Sequence, residues 1–148
     1  MLPLRCLCLV VGLLAAADDA DEDPVKRDLA RLQGEWRVVK LEANGKTAPA
    51  EAVAAARFLF KDNTIITREG DKEVSTGFVR LDPGRKPAEI EISPEKLPVR
   101  GKTTKGIYQL DGDTLLLALA AVGEDRPASF AAPANSNHVV FTLQRVKR

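Results

Sequence analysis

The chain is nearly devoid of cysteine: its only two, Cys6 and Cys8, stand near the start, and histidine, tryptophan, tyrosine and methionine occur once each. That scarcity excludes a disulfide framework and any Cys/His zinc or haem ligand set. His138 would have to serve any Ser-His-Asp device alone. None of Ser75, Ser93, Ser129 or Ser136 sits in a nucleophile elbow, so nucleophilic catalysis of that type is not expected. Charge of one sign is also missing. With 22 basic and 21 acidic residues, the chain has no basic footprint for nucleic acid or an anionic membrane. Asp62-Asn63-Thr64 and Asp111-Gly112-Asp113 lack the long loop and closing Glu of a calcium site, and read as turns. The carboxylate pair Glu89 and Glu91 reads as a solvated strand face.

The longest continuous apolar run is Cys6 to Ala17. It follows the single charge of Arg5, closes with Ala15-Ala16-Ala17, and is shorter than the roughly 20 residues a spanning helix needs. This order predicts a secretory signal peptide over residues 1–17, cleaved to release an exported protein without an integral membrane segment. Both cysteines leave with it, and the loss of Arg5 makes the charge balance even. Residues 18–23 then form an acidic tether too polar to pack.

The domain itself covers residues 24–148. Asp23 caps a short helix with Pro24 in its first turn, where a missing amide hydrogen costs nothing. Val25, Leu29 and Leu32 share one face of it, and Gly34 stops it. Beyond Gly34 the periodicity changes to short alternating segments, at 35–42, 57–61, 64–69, 73–81, 88–93, 103–110, 114–119 and 138–146. Ala50 to Ala56 reads as a short helix in the first connection. Asp62-Asn63 and Asp111-Gly112 are tight-turn signals. Eight strands joined mainly by turns predict an all-β, antiparallel up-and-down β-barrel, because closure removes exposed edges.

In such a meander the three longest connections, 43–56, 94–102 and 121–137, all leave the same end, opposite Trp36. That end is the expected mouth, with Ala52, Val53 and Phe130 as candidate mouth residues. The inward apolar set, and hence the candidate ligand lining, is Phe58, Phe60, Phe78, Ile90, Ile92, Tyr108, Leu117 and Phe141, with Leu110 and Leu143 beside them. It either fills the barrel or lines a cavity. At the other end, alternation along the last strand turns Arg145 inward toward Trp36. A guanidinium on the indole face there would clamp the first strand to the last, with Gly34 at the entry.

Gly34-Glu35-Trp36 after a short helix, with an arginine near the end of the last strand, resembles the signature of the lipocalin (calycin) superfamily. Leu32-Gln33-Gly34-Glu35-Trp36, the stretch Gly106 to Leu115, Arg126-Pro127 with Phe130, and Leu143 to Lys147 resemble more narrowly a lipocalin-like domain repeated in planctomycete bacteria. The resemblance implies an exported binding protein for a small apolar or amphipathic ligand, with no cofactor, no metal and no catalytic residues. The alternative is a filled barrel acting as a structural or protein-interaction module of the cell envelope. A filled interior would separate that alternative from a binding barrel.

Overall fold

The computed structural model describes residues 23–95 and 102–147. The expected signal segment, the acidic tether up to Glu22 and residues 96–101 of the sixth inter-strand connection lie outside the described residues. Helix α1 (Pro24–Leu32) leads into β1 (Gly34–Ala43), β2 (Lys46–Thr47), helix α2 (Ala50–Val53), β3 (Ala56–Lys61), β4 (Thr64–Glu69) and β5 (Lys72–Asp82). Strands β6 (Ala88–Pro94), β7 (Thr104–Asp111), β8 (Thr114–Ala120) and β9 (His138–Arg145) complete the chain. Every neighbouring pair is antiparallel. β1 pairs with both β3 and β9, closing an eight-strand barrel to which the two-residue β2 is a short flap. No helix among the described residues is long and apolar enough to cross a membrane.

Local chemistry sets the floor of the barrel. Asp23 accepts a hydrogen bond from the Val25 amide, and Pro24 opens the helix. Helix α1 ends at Leu32, and Gly34 takes φ +110°, a region that side chains with a Cβ rarely occupy. The Trp36 indole N–H then donates to the Leu32 carbonyl at 2.9 Å, satisfying a helix-end acceptor. The Gln33 side chain accepts from the Asp62 amide (2.8 Å) and donates to the Asp62 carbonyl (2.9 Å), fastening the helix end to the β3–β4 turn.

Alternation places Trp36, Val38, Phe60, Ile65, Val79, Leu81, Ile90, Tyr108, Leu115, Leu117 and Leu143 inside, with Leu32 of α1 plugging the floor. A register shift between Val38 and Lys40 keeps both Val38 and Leu41 facing inward, opposite Leu143 and Phe141. Phe78 corrects the sequence expectation: it points outward and is 44% exposed. The β5–β6 register pairs Val79 with Ile92 and Leu81 with Ile90. Burying those two pairs commits the whole strand and turns Phe78 the other way.

A second apolar cluster lies outside the barrel. Ile107, Ala118 and Val140 are cross-strand neighbours on the outer face of β7, β8 and β9, and the 121–137 connection covers them with Phe130 and Ala132. That connection leaves and re-enters at the mouth end but folds down the outer wall. Arg126 anchors it. Its guanidinium donates to the Ile90 and Gly106 carbonyls at 2.9 and 2.6 Å and pairs with Glu89 and Glu91 at 3.5 and 3.2 Å. Pro127 beside it is fully buried. Glu89 and Glu91 are therefore partners of a half-buried arginine, where alternation alone had suggested a solvated face.

Candidate binding cavity

The interior is filled unevenly, and side-chain volume explains why. On the floor side Trp36, Phe60, Tyr108, Leu117 and Leu143 pack to near-zero exposure. On the mouth side the inward positions are small: Thr67 and Ser75 face each other across β4 and β5, Gly77 follows on β5, and Thr104 opens β7. The space they leave is a cavity of about 410 Å³. It is walled by Phe58, Ile65, Ile92, Leu119 and Phe141, with Pro94, Lys102 and Val122 at its opening. This volume falls in the range of small-molecule sites, roughly 300–1,000 Å³.

Phe58 and Phe141 meet edge to face, ring centroids 5.0 Å apart at 62°. Both also contact the floor-side core, so this pair marks where the packed core ends and the cavity begins. The wall carries a polar stripe. The Thr67 and Ser75 hydroxyls are 2.6 Å apart and hydrogen-bonded. Two hydroxyls hold two protons and one is used between them, which leaves a donor for a guest.

Of the lining expected from sequence, Phe58, Ile92 and Phe141 line the cavity. Phe60, Ile90, Tyr108 and Leu117 face inward but belong to the filled core. Phe78 is outside. The mouth residues divide as well. Ala52 is exposed at the mouth end, whereas Val53 is buried in the core cluster without lining the cavity. Phe130 is a correction: it packs on the outer wall against Ile107, Ala118 and Val140, because the 121–137 connection has an apolar strip of its own to cover. Sequence reading missed Ile65, Thr67, Ser75, Gly77, Thr104 and Leu119. Only their shared inward parity once register is known could have found them.

At the opposite end the Arg145 guanidinium lies 4.3 Å from the Trp36 ring centroid. It also donates to the carbonyls of Gln33 (2.9 Å) and Arg31 (2.6 Å) and to the Asp113 carboxylate (3.1 Å). Gly34 sits beside this cluster, so the three clamp residues meet at the barrel's seam. Beside them Asp28 of α1, only 7% exposed, accepts a 2.7 Å hydrogen bond from the Tyr108 hydroxyl. Burial first, then that hydrogen bond and the negative charge of Asp28, raise the Tyr108 phenol far above its ordinary value. The pair fastens the plug helix to the barrel wall, a tethering role.

Further concavities lie on the outside, two of them lined by arginines. One, about 110 Å³, is lined by Arg80, Asp82, Glu89, Glu91 and Arg126; the two glutamates pair with the two arginines, and Asp82 pairs with Arg85. The other lies along the β1–β3 seam beside Arg68 and Arg145, the latter already engaged. Among the described residues no group of three His, Cys, Asp or Glu side chains is placed to hold a metal ion. No known protein family, curated protein or solved structure matches the chain.

Proposed function

We propose that this barrel is a binding protein for a small apolar or amphipathic molecule, held in the mouth-end cavity. The observation that carries the reading is the division of the interior: packed to near-zero exposure around Trp36, unfilled by the described residues and mostly apolar beyond Phe58 and Phe141. Apolar surface left open to water is costly, at about 25 cal/mol per Å². A guest that covers the cavity wall recovers that free energy. The described lining offers hydroxyls and the Lys102 ammonium, groups that position a guest, which favours binding over catalysis.

The lipocalin-like assignment belongs to this proposal. It rests on Gly34, Trp36 and Arg145 at the seam of an eight-strand barrel preceded by a short helix. Export is proposed with it, from Arg5, the apolar run and Ala15-Ala16-Ala17. N-terminal sequencing of the protein from its host would begin at or near Asp18 if that is right, and at Met1 if it is wrong. A barrel filled throughout would have supported the alternative of a structural or interaction module; the unfilled mouth side supports binding.

The test of binding is a fluorescence titration with N-phenyl-1-naphthylamine, an apolar probe that brightens on leaving water. The native protein should enhance it saturably, and Ser75→Phe, which places a ring in the cavity, should abolish the enhancement without lowering the melting temperature. Equal enhancement by the folded Ser75→Phe protein would place the probe elsewhere and remove the proposal.

A further inference from the structure

We infer that the cavity selects single-chain amphiphiles with a negatively charged head, and that Lys102 reads that charge. This rests on the binding proposal above and adds the sign and orientation of the guest.

Polarity runs in one direction along three of the strands that wall the cavity. β4 climbs toward the mouth from Ile65 to Thr67. β5 descends from Ser75 through Gly77 to Val79. The chain entering β7 descends from Lys102 through Thr104 to Gly106. On all three, the hydroxyl or ammonium group is mouthward and the apolar or small residue is deeper. A guest matched to that gradient puts its chain against Phe58, Ile92 and Phe141 and its head at the opening.

The sign of the head follows from the lining. Among the described residues that wall the cavity, Lys102 is the one charged side chain and no carboxylate accompanies it. A cationic head would meet a like charge with nothing to offset it, whereas an anionic head gains a partner. The free proton of the Thr67–Ser75 hydroxyl pair is a donor, which suits an acceptor-only group such as a carboxylate. Depth limits the chain. The packed core beneath Phe58 and Phe141 stops a long tail, and the cavity volume of about 410 Å³ favours one chain over two.

Lys102 is exposed, so its ammonium stays hydrated and its effect is that of a rim charge. A pair of this kind contributes about 0.2–1 kcal/mol and is screened by salt, corresponding to a preference of up to about fivefold. The test is isothermal titration with decanoate, decanol and decyltrimethylammonium at low ionic strength, using the native protein, Lys102→Gln and Lys102→Glu. The native protein should bind decanoate several-fold more tightly than decyltrimethylammonium. That ratio should fall in Lys102→Gln and invert in Lys102→Glu, while decanol affinity stays within about twofold. Decanol binding with an anion-to-cation ratio that Lys102→Glu leaves unchanged would overturn this inference and leave the binding proposal standing. Failure of all three compounds to bind the native protein would overturn both.

Discussion

The Arg145 guanidinium carbon stands 4.3 Å from the centroid of the Trp36 ring, and the two residues are direct cross-strand partners of β9 and β1. The contact therefore joins the last strand to the first at the point where the barrel closes. Two carbonyls and the Asp113 carboxylate hold the same guanidinium in place, so the stack is oriented by its own hydrogen bonds. A planar, forked cation serves all of these partners at once, which an ammonium cannot do.

Trp36→Ala should cost about 3–5 kcal/mol in denaturant melts, through lost burial and the cavity left behind. Arg145→Lys keeps the charge and loses the stack and the fork, and should also destabilise. Because the two side chains touch, Trp36→Ala with Arg145→Ala should cost less than the sum of the single changes. Additive costs would mean that the contact contributes nothing of its own.

Tyr108 is the only tyrosine, so its ionisation can be followed by absorbance without interference. Its folded pKa lies above its unfolded one. Its contribution to stability is therefore fully present below the unfolded value, about 10, and is lost as pH rises through the folded value. The phenolate signal should stay absent past pH about 10 and appear together with unfolding. Tyr108→Phe leaves Asp28 without its hydroxyl donor and should cost about 1–3 kcal/mol. A phenol titrating near its ordinary value in the folded protein would contradict the buried pair.

Asp113 behaves in the opposite sense. Lys147 first, and Arg145 after it, hold its carboxyl below the ordinary value. A depressed carboxylate contributes stability above its unfolded pKa and loses that contribution as pH falls through its folded pKa. Asp113 is solvent-exposed, so the effect is small. Native protein and Asp113→Asn should differ in melting temperature at neutral pH and converge on acidification. A gap that widens toward acid would contradict the pairing.

Arg126 is the rivet of the 121–137 connection. Arg126→Ala removes four interactions at once and leaves Glu89 and Glu91, neighbours on one strand face, without their shared partner. Amide exchange across 121–137 should accelerate while β8 stays protected, since the outer cluster and the inner core are separate. Unchanged exchange there would show that the outer apolar cluster alone holds the loop.

Strand positions were legible because alternation and turn residues report burial and reversal directly: Ile90 and Ile92, Asp111-Gly112, and the inward parity of Trp36 and Arg145 all sit where periodicity puts them. Parity in β5 was not legible. Val74, Thr76 and Phe78 alternate on one face, and Ser75, Gly77, Val79 and Leu81 on the other. A large Phe outweighs a Gly until the pairing of Val79 with Ile92 is known. The expected helix over 50–56 shortens to α2, since Ala56 is taken into β3. The cavity itself depends on small residues, Thr67, Ser75, Gly77 and Thr104, which carry no apolar signal. Asp28 escaped notice because its partner Tyr108 is 80 positions away in sequence, and Phe130 because a connection's docking site cannot be read from its composition.

Binding requires that the space beyond Phe58 and Phe141 receive a guest. The most direct measurement is a methyl-labelled NMR titration with decanol. Ile65, Ile92 and Leu119 line the cavity, whereas Leu59 and Ile66 are partners across the opposite strand face. Saturable shifts in the methyls of Ile65, Ile92 and Leu119, with those of Leu59 and Ile66 unmoved, are the predicted result. Shifts confined to the outer-face methyls, or none at saturating decanol, would contradict it.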